Sequence, residues 1–172
     1  MKPNRKLPLF IVSGASGAGK TTACTLLFQQ EKDYVVMESD LLWNRIYDTP
    51  DDNYCAYRRM WMRVAAAISQ IGKPVVLCGS AVPEQFENQP ERELFSEIRY
   101  FAVVCNDSVL ETRLRKGRGV TEEGRIENSV TFNRWLKENA TKTKPEISLI
   151  DNSALSPERT AEVLDRMIRK QL

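Results

Sequence analysis

Gly14-Ala15-Ser16-Gly17-Ala18-Gly19-Lys20-Thr21 decides the fold of this chain. It follows an apolar run, Leu7 to Val12, and opens into a helix-forming run, Lys20 to Gln30. A strand, a glycine-rich turn and a helix in that order read as a phosphate-binding loop. The glycines let several backbone N–H groups converge on one anion. The helix that starts at the loop adds the positive end of its dipole. Lys20 supplies a cation for the outer phosphates, and the Thr21 hydroxyl can hold a Mg²⁺ ion that bridges them. Residues 14–21, with Thr22 behind them, are therefore the expected nucleotide contacts.

Working outward, apolar runs alternate with helical patterns. Strands are expected over Leu9 to Ser13, Tyr34 to Met37, Pro74 to Cys78, Arg99 to Cys105 and Ile147 to Ile150. Between them the pattern predicts a short helix over Leu41 to Tyr47, a polar turn around Pro50 and a helix over Tyr54 to Ile71. The apolar face of that helix is Tyr57, Met60, Trp61, Val64, Ile68 and Ile71. Ser108-Val109-Leu110-Glu111 has the form of a capping box that starts a helix through Arg115. Lys116 to Gly124 reads as a mobile segment and Ile126 to Asn139 as a helix. Ser156-Pro157 places an N-cap and a first-turn proline at the start of the last helix. Five strands alternating with helices predict one α/β domain, residues 1–172, with a mostly parallel sheet.

Composition narrows the chemistry. The chain of 172 residues carries a net charge of +2 and no histidine. A near-balanced charge gives no electrostatic case for nucleic acid or an anionic membrane. Without histidine, a general base must be a carboxylate or something rarer. The four cysteines, Cys24, Cys55, Cys78 and Cys105, have neither zinc-site spacing nor a disulfide pattern. Cys78 and Cys105 end apolar runs and read as small buried hydrophobes. The apolar run near the N-terminus is short for a signal peptide, and no stretch reaches membrane-spanning length. A cytoplasmic protein, monomeric or homodimeric, is expected.

In parallel sheets ligands bind at the carboxyl ends of the strands. Asp40 follows the second strand, where a carboxylate can accept the proton of an attacking hydroxyl or help hold Mg²⁺. The same residue could instead cap the following helix. Gly79-Ser80 follows the third strand; small residues there let a substrate approach the backbone. No acid ends that strand and no guanine-reading motif is present, which disfavours motor ATPases and GTPase switches. Trp43, Tyr54, Tyr57 and Arg58 lie in a region, about residues 41–71, rich in rings and arginines. It suits a planar or sugar-like acceptor with an anionic group, although Tyr57 also sits at core spacing. Arg113, Arg115, Lys116 and Arg118 form a basic cluster within a lid of about residues 113–125. Such a segment can close over a nucleotide and neutralise charge on a transferring phosphoryl group.

This pattern resembles the P-loop small-molecule and nucleotide kinases, such as adenylate, shikimate and gluconate kinases. The residues that carry it are Gly14 to Thr21, Asp40, and Arg113 to Arg118. Met37-Glu38-Ser39-Asp40 also resembles the corresponding stretch of chloramphenicol phosphotransferase, where an Asp is the base. The resemblance implies a three-layer α/β/α fold with a five-stranded parallel sheet in the order 2-3-1-4-5 and a small helical lid. It implies Mg-ATP as donor, Asp40 as base, Arg113 and Arg118 at the phosphates, and an adenine-cradling loop at Ile150-Asp151-Asn152-Ser153-Ala154, with Ser153 and Ala154 as the nucleotide contacts. The strand-three motif of nucleoside monophosphate kinases is replaced by Cys78-Gly79-Ser80-Ala81-Val82-Pro83-Glu84, without its arginine. That favours a neutral or hydroxyl-bearing acceptor over a nucleoside monophosphate, which stays the alternative, as does, in another class, a nucleotide-binding regulatory protein with weak ATPase activity. Lys20→Ala should abolish thermal stabilisation by Mg-ATP; equal melting shifts in variant and parent would refute the phosphate-loop assignment.

Overall fold

The computed structural model describes residues 6–30 and 33–172. Strands β1 (Leu9–Ser13), β2 (Val35–Glu38), β3 (Val75–Cys78), β4 (Ile98–Val104) and β5 (Ile147–Asp151) form one sheet. Their order is β2-β3-β1-β4-β5, and every pairing is parallel. The register sets Val12 beside Cys78 and Ser13 beside Ala102. Helices are α1 (Lys20–Phe28), α2 (Cys55–Ser69), α3 (Glu84–Glu87), α4 (Asp107–Thr112), α5 (Glu123–Asn139) and α6 (Pro157–Arg169).

The central strands are apolar on both faces, as strands covered on both sides must be. Phe10, Val12, Val76, Phe101 and Val103 face a core completed by Leu27 of α1 and by Leu164 and Ile168 of α6. Leu9, Ile11, Val75, Leu77 and Ala102 face the other way, onto Trp61 and Met62 of α2 and Leu136 of α5. The result is the expected three-layer α/β/α fold, with the carboxyl ends of β1, β2 and β3 side by side at one edge. Among the described residues no helix is long and apolar enough to cross a membrane.

Several local expectations are corrected. Residues 41–47 do not form a helix; two 3₁₀ turns, Ser39–Leu42 and Arg45–Tyr47, flank an extended Trp43 and Asn44. The Asn44 side chain accepts from the Ile46 N–H and so starts the second turn itself. Helix α2 ends at Ser69, which leaves Ile71 exposed. The capping box at Ser108 does not form. Helix α4 starts one residue earlier, after Asn106, and Asp107 is drawn instead to Arg134 and Lys137 of α5. Lys116 to Gly124 is not one loose segment: a π-helical turn, Arg113–Gly117, continues α4, and α5 starts at Glu123. Cys24 and Cys78 pair as a disulfide, with Cα atoms 6.7 Å apart. Their spacing gave no sign of it, because α1 meets β3 only once the sheet is assembled.

A buried carboxylate anchors helix α2. Glu91, only 5% exposed, sits in a 3₁₀ turn over Pro90–Leu94. It accepts from Arg59 at 2.9 and 3.1 Å and from Arg63 at 2.9 Å. These contacts, Arg59 above all, hold its carboxyl at about 2, against an ordinary 4.5, although burial acts the other way. A depressed carboxylate stabilises the fold above its ordinary pKa and loses that contribution as the pH falls through the folded value. Glu91→Gln should therefore cost about 1–2 kcal/mol near pH 6, allowing for the solvent exposure of both arginines. Urea unfolding should show the gap between parent and variant closing toward pH 2; a gap independent of pH would refute the clamp.

Candidate active site

The loop after β1 wraps toward the start of α1. Gly19 caps that helix with φ +97°, a left-handed conformation. A Cβ there would lie 2.9 Å from Asn152 Nδ2, so only glycine suits both the turn and the contact. Ala15 and Ala18 are buried in a small core with Leu110, Leu114 and Ile126. The Ala18 carbonyl accepts from Asn152 Nδ2 at 2.9 Å and from Arg113 at 3.2 Å. Arg113 also donates to the Asn152 side-chain and backbone oxygens, at 3.0 and 3.2 Å. The buried amide of Asn152 thus braces the loop; the sequence set it inside the Ile150 to Ala154 segment but gave it no role of its own.

A cavity of about 440 Å³ lies in front of the loop, lined among others by Gly17, Gly19, Lys20, Thr21, Thr22 and Arg113. Its far end is formed by Asn152, Leu155, Pro157 and Thr160. Ser153 and Ala154 are not on its wall. The Ser153 hydroxyl donates to Asp151 at 2.5 Å and accepts from the Asn106 N–H at 2.8 Å, which ties it into its own turn.

Lys20 is 8% exposed and makes no ion pair among the described residues. Burial pushes its pKa down; the negative charge of Asp40 pulls it back up, Arg118 pushes it down and Glu38 pulls it up. A buried ammonium with no partner, at the mouth of an anion-binding loop, fits a phosphate tail. Arg118 donates to the Ser16 hydroxyl at 2.9 Å, which brings the segment after α4 down onto the loop. Arg115 pairs with Glu123 at 2.7 Å and clasps both ends of that segment together.

Asp40 lies in the 3₁₀ turn after β2 and makes no capping bond to the backbone. Among the described residues its Oδ1 accepts only a long 3.4 Å contact from the Ser39 hydroxyl, so its carboxylate is left to the cleft. What fixes the turn is the Ser39 carbonyl, which accepts from Tyr57 Oη at 2.5 Å and from Trp61 Nε1 at 3.1 Å. Gly79 makes room for it: a Cβ there would collide with Ser39 Oγ. Trp61 and Tyr57 are thus core residues with a polar task that helical spacing did not disclose.

Beside the first lies a second cavity of about 440 Å³, lined by Ser39, Asp40, Trp43, Tyr54, Tyr57, Arg58 and Ser80. Six of these seven were expected here from the sequence; Ser39 was not. Trp43 meets Tyr57 edge-on, with ring centroids 5.1 Å apart. Tyr54 precedes α2 in the left-handed conformation, φ +59°, rare for a bulky residue. Ser80 spends its hydroxyl on the Gly14 carbonyl, at 2.9 Å. A third cavity, about 630 Å³, joins the two, with Lys20, Thr21, Asp40, Ser80 and Arg118 on its wall. Thr21 and Asp40 both face it, so the two oxygen donors suited to Mg²⁺ flank one space. Among the described residues no group of three or more His, Cys, Asp or Glu side chains could hold a metal without further ligands.

A fold of this topology with this loop defines a P-loop phosphate-binding protein. Residues 11–132 match the family model of the AAA domain, and the chain belongs to that family. No curated protein matches the chain in sequence. Solved structures share the fold. A gluconokinase from Sinorhizobium meliloti 1021 is 17% identical, with a TM-score of 0.65 over 97% of this chain and 98% of that one. A sugar kinase from Janibacter sp. HTCC2649 is 17% identical, with a TM-score of 0.64 over 95% of each chain. The Deinococcus radiodurans tunicamycin resistance protein is 16% identical, with a TM-score of 0.63 over 95% of this chain and 96% of that one.

Tyr57→Phe, which removes one donor to the Ser39 carbonyl and little volume, should lower stability by about 1 kcal/mol. Urea unfolding at equilibrium measures it; no change would leave Trp61 as the sole anchor of the turn.

Proposed function

We propose that the protein is an ATP-dependent kinase that transfers the γ-phosphoryl group to a hydroxyl of a small molecule. One observation carries this reading: Lys20 and Asp40 share the wall of the cavity that joins the nucleotide space to the acceptor space. A cation for phosphate and a base for a hydroxyl thus meet where the two substrates would. The structural likeness to a gluconokinase and a sugar kinase supports the same reading.

The donor's phosphate tail lies in the loop of residues 14–21, with Lys20 against its outer oxygens. Thr21 and Asp40 are the side chains available to Mg²⁺, which when bound would screen the phosphate charge and fix its geometry. Asp40 orients the acceptor hydroxyl and accepts its proton. The acceptor oxygen forms a bond to the γ-phosphorus as the bond to the bridging oxygen breaks, and the electron pair leaves on ADP. Arg118 and Lys20 face the equatorial charge of the transferring group. Arg113, held by Asn152 and Ala18, keeps the loop in shape and lines the nucleotide space. The segment from Arg113 to Arg125 serves as the lid that excludes water.

Asp40→Asn should keep stabilisation by Mg-ATP and lower turnover by roughly 10²–10⁴-fold, the usual worth of a positioned base. A coupled ADP-release assay with sugars, nucleosides and antibiotics as acceptors reads this. Unchanged turnover would remove Asp40 from the chemistry. Transfer only to nucleoside monophosphates would replace this acceptor class with another.

A further inference from the structure

Helix α1 begins at the phosphate loop and is weakly held by its own residues. It has nine residues, and a helix so short is marginal in isolation. Among the described residues no side chain caps its N-terminus, and its first turn carries no acid. A phosphate loop leaves those first N–H groups open for an anion, so the usual caps have no place there. The positions of Lys20 and Thr21, at the start of α1, therefore depend on what the helix is fastened to.

One covalent contact fastens it. Cys24 lies one turn after Lys20 on the same helix face and is bonded to Cys78, the last residue of β3. The Cys78 sulfur also lies 3.7 Å from the Lys20 carbonyl oxygen. Beyond Cys78 the chain continues into Gly79, which makes room for Ser39, and Ser80, whose hydroxyl holds the Gly14 carbonyl. The bond thus ties the helix that carries Lys20 and Thr21 to the strand that supports both the phosphate loop and the turn of Asp40. Cys24 is 3% exposed and Cys78 fully buried, in a core with Val12, Leu27, Val36 and Val76. Two thiols need more room than a disulfide, because bonded sulfurs stand closer than sulfurs in contact. In a close-packed core, breaking the bond therefore loosens α1 against β3.

We propose that Cys24 and Cys78 form a thiol–disulfide switch that sets the affinity of the phosphate loop for Mg-ATP. The identity of that ligand rests on the kinase reading above. The pair is oxidised by exchange with a low-molecular-weight disulfide such as glutathione disulfide. One protein thiolate attacks it and releases one small thiol; the second displaces the other, and the two protons end on the two small thiols. Oxidised, the pair fixes α1, and the loop binds without reorganising. Reduced, α1 is held by packing alone, and the nucleotide has to order it on binding. Where glutathione keeps thiols reduced, a disulfide is transient and senses redox state. Linkage makes the effect mutual. Both sulfurs are buried, so a reductant reaches them only when α1 lifts from β3. Mg-ATP holds α1 down, and so shifts the exchange equilibrium toward the disulfide by the factor through which the disulfide favours Mg-ATP.

The test uses the full chain equilibrated with glutathione or with glutathione disulfide, its thiols counted after denaturation. The oxidised chain should show two free thiols, Cys55 and Cys105, and the reduced chain four. Calorimetry should find Mg-ATP bound about fivefold or more tighter by the oxidised form. Saturating Mg-ATP should move the glutathione exchange equilibrium toward the disulfide by the same factor. Cys24→Ala and Cys78→Ala should each bind like the reduced parent and lose the dependence on redox state, whereas Cys55→Ser should keep it. Equal affinity in the two states of the parent, a comparison that needs no variant to fold, would overturn the proposal. So would four free thiols after oxidation, or a Cys24→Ala variant with the oxidised parent's affinity. A chain that binds Mg-ATP in neither state would overturn the phosphate-loop assignment as well. A chain that shows the expected ratio but phosphorylates no acceptor would sustain the switch and overturn the kinase reading alone.

Discussion

The Ala18 carbonyl is the point on which the site depends. A trans peptide directs the C=O of one residue and the N–H of the next to opposite sides. Asn152 and Arg113 hold the Ala18 oxygen, so the Gly19 N–H is turned away from that pair of donors. Gly19 can follow because its left-handed conformation carries no Cβ penalty. The alanine methyls pack into the small core with α4 and α5, which ties the loop to those two helices. A loop fixed on its outer side meets a phosphate without reorganising, the condition under which fixed dipoles are most effective.

The acceptor side is positioned by the same economy of backbone contacts. Serines at the strand ends stitch neighbouring loops together. Ser13 Oγ donates to the Ala81 carbonyl at 2.6 Å and accepts from the Ala81 N–H at 3.0 Å. Ser80 Oγ reaches the Gly14 carbonyl. Ser39 offers its carbonyl to two aromatic donors of α2. The loop after β1, the turn that carries Asp40 and the cavity wall formed by α2 therefore share one rigid frame, and Glu91 fixes α2 to it. Rigidity of this kind is what an in-line transfer requires, because small misplacements of reacting atoms are expensive in rate.

Against that frame, the unpaired charges stand out. Among the described residues three charged side chains are buried, and one of them, Glu91, is paired, with two arginines. Lys20 and Arg58 have none among the described residues, and both line cavities at the carboxyl edge of the sheet. Stability is lost at the positions where binding needs a preorganised charge, a common trade in functional sites.

How much of this was legible in the sequence follows from the range of the physics involved. The phosphate loop, the five strands, the Ser156-Pro157 helix start and the placing of Asp40, Trp43, Tyr54, Tyr57, Arg58 and Ser80 near one another rest on local spacing or on strand ends. Glycine conformation, apolar alternation and capping act over a few residues, so order along the chain was enough. Asn152 behind the loop, Glu91 under α2, the Cys24–Cys78 pair and the lone charge of Arg58 were decided only by tertiary structure. Asn152 and Ala18 are 134 residues apart, and a counter-ion's presence or absence is a property of what the fold brings within a few ångströms. The chain order determined what kind of site could form; packing of distant segments determined which of its charges were left for a ligand.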